Sequence, residues 1–160
     1  MHVAGYRAED HVWRRRRVEL SIREQRALAA RLCDHFDVPL VDVVRGRHGS
    51  AGSYYNPGAR HERGTGPARI TLGRSADGSS DWIVCHEIAH HVTYVRGTDR
   101  GHGSAWAAVY VAAVAHAISA GWARRLAAAM RREGVRLPER RLAEMGETEM
   151  AAVVRHGARC

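Results

Sequence analysis

The sequence contains no lysine: all 25 of its Lys-or-Arg positions are arginine. That excludes a Schiff-base lysine, a Ser/Lys dyad and the lysine of a Walker-A phosphate loop. Cysteine is scarce, with three residues at 33, 85 and 160. They are odd in number, widely spaced and without a C-x-x-C pair, so neither a disulfide framework nor a Cys-based zinc site is indicated. A reducing compartment fits, and a cytoplasmic location is the expectation. The stretch Met1 to Arg17 carries Arg7, Glu9 and Asp10 and no apolar run before its four consecutive arginines, which is not a secretory signal pattern. Long apolar runs are lacking too, with one stretch to test. Ser104 to Ala123 is free of Asp, Glu, Lys and Arg and reaches the length of a membrane span. It is mostly alanine, interrupted by His116, Ser119 and Gly121, and insertion would be weakly driven. A buried helix is expected there, and no membrane contact.

The balance of charge is basic. Seventeen acids leave a formal +8, which suits polyanionic partners such as nucleic acid. Exclusive use of arginine is also what a GC-rich genome produces, so the charge permits nucleic-acid binding without pointing to it. At 160 residues the chain has the size of one domain. A single domain over 1–160 is expected, with 135–160 as a loosely docked helical tail.

Ser21 followed by Glu24 is a capping box and predicts a helix through Ile22, Ala29, Leu32, Cys33 and Phe36, ending before Pro39. Short β-like pieces follow at Leu40 to Val44, Ser53 to Tyr55 and Ala68 to Leu72, separated by Gly-, Arg- and His-rich loops. They predict a small sheet. The turn Asp77 to Asp81 then opens a helical pattern that stops at Gly97. A second apolar helix is expected from Ser104, with Trp106, Tyr110, Ala113 and Ala117 on one face and an interruption at Gly121. Trp122, Leu126 and Met130 recur at four-residue spacing up to Gly134, and Pro138 opens the tail with Leu142, Met145, Met150 and Val153. Arg14 to Arg17 reads as a solvated basic strip.

The helix from Asp81 to Gly97 carries the chemistry, because His86-Glu87-Ile88-Ala89-His90 is an H-E-x-x-H pattern. Residues four apart on a helix lie about 40° apart around its axis and roughly 6 Å along it, so two imidazoles can converge on one ion. Glu87, about 60° from His90, sits on the flank of that face, within reach of a metal-bound water without ligating the metal. Val84, Ile88, Val92 and Val95 fall roughly 180° from the two histidines, so one side of the helix is core and the other polar. This chain's own residue frequencies give roughly 0.05 chance matches to the pattern.

An open catalytic zinc site needs a third protein ligand, with water in the fourth position. His102 is the choice: it follows His90 after eleven intervening residues, beyond the stop at Gly97, and stands between Gly101 and Gly103, which permit a tight turn back. Trp106 would pack beneath it. The metzincin extension would need Gly at 93 and His at 96, where this chain has Thr93 and Arg96. No glutamate occurs between Glu87 and Glu133. Asp99 is the runner-up ligand, or a partner that orients His102 or His86.

The run Asp81-Trp-Ile-Val-Cys-His-Glu-Ile-Ala-His-His-Val-Thr and the segment Gly101-His-Gly-Ser-Ala-Trp106 resemble a small family of actinobacterial zinc metallohydrolases. More distantly they resemble the SprT-like zincins, which share HExxH followed by His-Gly-x-x-aromatic. The resemblance is densest from Ala51 to Trp106. It implies a zincin-like α+β fold, with a small mixed sheet, the HExxH helix and additional C-terminal helices, in which the strand Ala68 to Leu72 borders the cleft. By position it implies Zn²⁺ held by His86, His90 and His102, with Glu87 as general base. SprT-like proteins often bind DNA and cleave protein attached to it, but this chain has no C-terminal zinc ribbon.

Other residues have plainer readings. His91 points about 140° from His86 and reads as a core-edge residue. His116, within an apolar helix, reads as a core histidine. Cys85 lies about 100° around the helix from His86, which argues against a Cys/His nucleophilic pair. Tyr54, Tyr55, His48 and His61 read as strand or loop packing rather than substrate or oxyanion groups, and the oxyanion donor stays unassigned. The expected function is a zinc-dependent hydrolase acting on a peptide or protein substrate. The alternatives are a non-catalytic, metal-stabilised module that binds nucleic acid through its arginines, and a regulatory protease that cuts one partner and is silent on generic substrates.

Overall fold

The computed structural model describes residues 2–14, 16, 18–46, 53–58, 67–75, 77–98 and 101–138. Over these the chain is α+β, with five α-helices and a three-stranded mixed sheet. The first helix, α1 (His2–Trp13), precedes the helix that the capping box announces. Gly5, Ala8, Glu9, Val12 and Trp13 are its buried positions, the i, i+3, i+4, i+7, i+8 stripe of a helix seated on a core.

Helix α2 (Ile22–His35) begins as the sequence predicts: the Ser21 hydroxyl accepts from the Glu24 backbone N–H, and the Glu24 carboxylate accepts from Ser21 N at 2.7 Å. This satisfies N–H groups that the first helical turn leaves without partners. The three β-like pieces form β1 (Asp42–Arg45), β2 (Tyr54–Asn56) and β3 (Arg69–Leu72). Their order is β1-β3-β2, with β1 parallel and β2 antiparallel to β3. This corrects the strand expected beside the cleft. The piece at 68–72 is the central strand, and β2 is the edge strand packed against the HExxH helix. A strand hydrogen-bonded on both sides has no free backbone edge to offer.

A one-turn 3₁₀ segment, Asp77–Ser79, leads into α3 (Asp81–Val95). Its Gly78 lies so close to Gly73 that a Cβ there would fall 2.2 Å from the Gly73 carbonyl oxygen. The Gln25 amide and the Arg45 guanidinium both donate to the Gly78 carbonyl, at 2.9 Å each. The entry to α3 is therefore pinned by α2 and β1. Helix α3 ends two residues before Gly97, whose φ of +66° is the left-handed conformation that glycine adopts without penalty.

Helix α4 (Ser104–Ala117) is buried from Trp106 through Val114 and packs between α3 and α5 (Ala120–Arg132). A helix apolar on all sides belongs inside, and among the described residues no helix is long and apolar enough to cross a membrane. The break between α4 and α5 falls at Ile118–Ser119, not at Gly121, which lies inside α5. Ser119 causes it by capping: its hydroxyl accepts from Trp122 N at 3.2 Å. His116 is also corrected, since it is exposed and stacks on His35 with ring centroids 3.9 Å apart. Arg16 departs from the solvated-strip reading: it pairs with Asp81 and lies 5.5 Å from the Trp122 ring centroid. The tail expected over 135–160 departs from that reading at its start: 135–138 are not helical, and Val135 and Leu137 are buried in the core. The rest of it, from residue 139, together with Arg15, Arg17, His48, His61 and Asp99, lies outside the described residues.

Candidate metal centre

Helix α3 places His86 and His90 one turn apart on the same face, with ring centroids separated by 5.2 Å. Its far side carries Val84, Ile88 and Val92, all with no exposed surface. The helix is thus fixed in rotation by its apolar side, and the histidines face a second wall. That wall begins at the loop after Gly97, where Gly101 takes φ +69° and reverses the chain. The reversal brings His102 against α3, its ring centroid 5.1 Å from His86 and 4.7 Å from His90.

The three imidazoles form one cluster, with candidate ligand nitrogens all within 4.8 Å of one another. His86 Nε2 and His102 Nε2 are 3.2 Å apart. Zn–N bonds of about 2.0–2.1 Å at a tetrahedral angle put ligand nitrogens about 3.3 Å apart, so this pair is spaced as a metal would need it. His86 and His102 are buried and His90 is half-buried, which leaves His90 on the more open side. Three neutral-ligand side chains with one open direction fit a divalent ion of the zinc type.

Trp106 lies beneath all three rings, at centroid distances of 4.9, 5.4 and 4.4 Å from His86, His90 and His102. Its indole N–H donates to the His86 carbonyl at 3.4 Å. The floor expected from the sequence is therefore present.

Glu87 is buried on the flank of the cluster, where its carboxylate accepts from the backbone N–H of Tyr55 on the edge strand. Burial pushes its carboxyl up, the neighbouring His86 pulls it down and the Glu9 charge pushes it up again, to about 7. A carboxyl poised there exchanges a proton readily near neutrality.

Two residues of α1 complete the site and are absent from the sequence-based list. Glu9 accepts from His86 Nδ1 at 2.6 Å, with 5% and 4% of the two side chains exposed. The same carboxylate is hydrogen-bonded to the Tyr110 hydroxyl, which accepts from Trp13 Nε1 at 3.0 Å. Burial lowers the basicity of His86, but the charge and hydrogen bond of Glu9, together with the charge of Glu87, outweigh it, and the imidazole is held above its ordinary range. Tyr6 lies over the cluster, its ring 6.1 Å from His86 and 5.2 Å from His102. It is 49% exposed, so it stands at the mouth. Burial and the charges of Glu9 and Glu87 raise its phenol above the usual range. The signal for Glu9 was a carboxylate falling on the apolar stripe Gly5, Ala8, Val12, Trp13, where a charge is retained only with a partner.

The remaining candidates lie off the centre. His91 is buried against Tyr55 Oη at 3.1 Å and the Pro39 carbonyl at 2.7 Å, which accounts for both ring nitrogens. Tyr55 thereby serves as strand packing, as expected. Cys85 has no exposed surface, and burial pushes its thiol far up, so it is no nucleophile. Comparison with protein-family models, curated proteins and solved structures finds no match for this chain.

Proposed function

We propose that the protein is a metal-dependent hydrolase of zincin type, and a peptidase in particular, with His86, His90 and His102 as ligands of Zn²⁺ and Glu87 as general base. The observation that carries this reading is the convergence of three imidazoles beside a buried carboxylate that is not itself one of the three. A purely structural zinc site closes all four positions with protein ligands and has no use for such a base.

Bound there, a divalent ion would supply Lewis acidity, polarising a scissile carbonyl and making water a better nucleophile near neutral pH. The chain's own residues do the rest. Glu87 takes a proton from the attacking water on its carboxylate and returns it to the leaving amine. The N–H of Tyr55 holds that carboxylate in place. Trp106 keeps the three imidazoles in register, and Tyr6 offers a ring and a hydroxyl where substrate enters. The test is cleavage of a panel of unfolded proteins and peptides by the Zn²⁺-loaded chain. Cleavage lost on chelation and restored by Zn²⁺ supports the peptidase reading, and a folded, loaded chain that cuts no member overturns a peptidase of broad specificity, leaving only the protease that cuts one partner.

A second reading, nucleic-acid contact, is favoured by the arrangement of the arginines. Helix α5 carries Arg124, Arg125, Arg131 and Arg132 and no acid. Between α1 and α5 lies a groove of about 560 Å³ lined by His11, Arg14, Trp122, Arg125 and Arg132, with the Arg125 guanidinium 4.9 Å from the Trp122 ring centroid. Among the described residues these three arginines form no ion pair. Cationic side chains beside an aromatic face suit a phosphodiester strand. Arg125→Glu with Arg132→Glu should weaken binding of a fluorescent single-stranded DNA at least tenfold and flatten its salt dependence. Unchanged affinity in the double variant would remove the groove from consideration.

A further inference from the structure

The hydrogen bond between Glu9 and His86 joins the first turns of the chain to a site 77 residues away, and it is made in the interior. In the neutral, metal-binding form, an imidazole whose Nδ1–H donates to a carboxylate presents Nε2 as the lone-pair nitrogen, because a neutral ring holds only one N–H. His86 Nε2 is the atom that faces His102 Nε2. Glu9 thus selects the ring orientation and tautomer that the cluster needs. Its own burial is supported by a second donor, the Tyr110 hydroxyl, so the chain Trp13–Tyr110–Glu9–His86 ties α1, α4 and α3 together. Beside it Gly5 lies over His102 and Trp106, where an added Cβ would make ordinary contact at 3.8 Å with each.

We propose that Glu9 is a positioning residue for the metal ligand His86, and that docking of helix α1 and occupation of the metal site are therefore two halves of one coupled equilibrium. The inference rests on the metal-site reading above and adds to it a role for the N-terminal helix. Coupling is reciprocal: whatever factor a docked α1 adds to metal affinity, bound metal must return to the docking of α1. A carboxylate partner behind a metal-bound histidine is worth about 10- to 100-fold in metal affinity.

The test uses the full chain with Zn²⁺ as the probe. Zinc affinity is measured by chelator competition for the wild type, Glu9→Gln and Glu9→Ala. Amide hydrogen exchange across residues 2–13 is followed in the wild type with and without Zn²⁺. Affinity should fall in the order wild type, Glu9→Gln, Glu9→Ala, because the glutamine amide oxygen still accepts from Nδ1 but without charge. The alanine variant should lie about 10- to 100-fold below the wild type, and exchange in α1 should slow when zinc is added. Should Glu9→Ala fail to fold, Glu9→Gln and the wild-type exchange carry the decision. A folded variant with wild-type zinc affinity, or α1 exchange that is indifferent to zinc, overturns the proposal. A wild type that binds no zinc at all would instead overturn the metal site itself, so the two failures are distinguishable.

Discussion

If the proposed hydrolase mechanism holds, Glu87→Gln should leave the zinc content and the fold of the protein unchanged and reduce turnover by about 10²- to 10⁴-fold, the range that a positioned general base contributes. The substitution keeps the shape of the side chain, and its amide oxygen can still accept the Tyr55 N–H that now holds the carboxylate. What it removes is the ability to take a proton. Because Glu87 flanks the imidazoles without belonging to the cluster, metal binding and proton transfer are separable. Steady-state kinetics on any cleaved substrate, with metal analysis of the same sample, checks both halves. A variant that turns over normally removes Glu87 from the mechanism, and one that loses metal makes it a ligand.

Trp106→Ala should destabilise the protein by about 3–5 kcal/mol, the usual cost of emptying a large aromatic position in a core. Trp106 is 1% exposed and touches all three histidines and Tyr110, at a centroid distance of 5.1 Å from the latter. It also donates to the His86 carbonyl. The space it would leave lies directly under the candidate ligands, so zinc affinity should fall together with stability. Trp106→Phe should recover part of both, since a ring remains although the N–H is lost. Denaturant unfolding of the metal-free chain isolates the packing contribution, and the same experiment with zinc adds the binding contribution. A Trp106→Ala protein as stable as the wild type would show that the floor is not part of the core that fixes the site.

Much of the centre was legible in the sequence because it is local. His86, Glu87 and His90 lie within five residues on one helix, and the phase of Val84, Ile88 and Val92 fixes which way that helix turns. His102 could be chosen because a glycine-flanked loop before a new helix is itself a reversal signal. The contributions of α1 were not legible in this way. Glu9 and Tyr6 reach the histidines only through tertiary packing, and periodicity within α1 says which face is buried without saying against what.

The sheet shows a related limit. All three strands were visible as short β-like pieces, yet their spatial order is β1-β3-β2, and only the order tells which one borders the HExxH helix. Edge position depends on pairing between segments, which strand propensity does not encode. Gly121 weakens a helix but does not break one that a cap has already started. Ser119 accepts from Trp122 N and begins a new helix, inside which the glycine is tolerated.

The most direct test of the central claim is metal content per chain, measured by elemental analysis on protein carrying no affinity-tag histidines, after replenishment with zinc and removal of the excess. Wild type and His102→Ala are run side by side. The three-histidine arrangement predicts about one zinc in the wild type and a clear loss in the variant, since two imidazoles on one helix leave an open site with too few ligands. A wild type without bound metal, or a His102→Ala protein that holds as much zinc as the wild type, would contradict it.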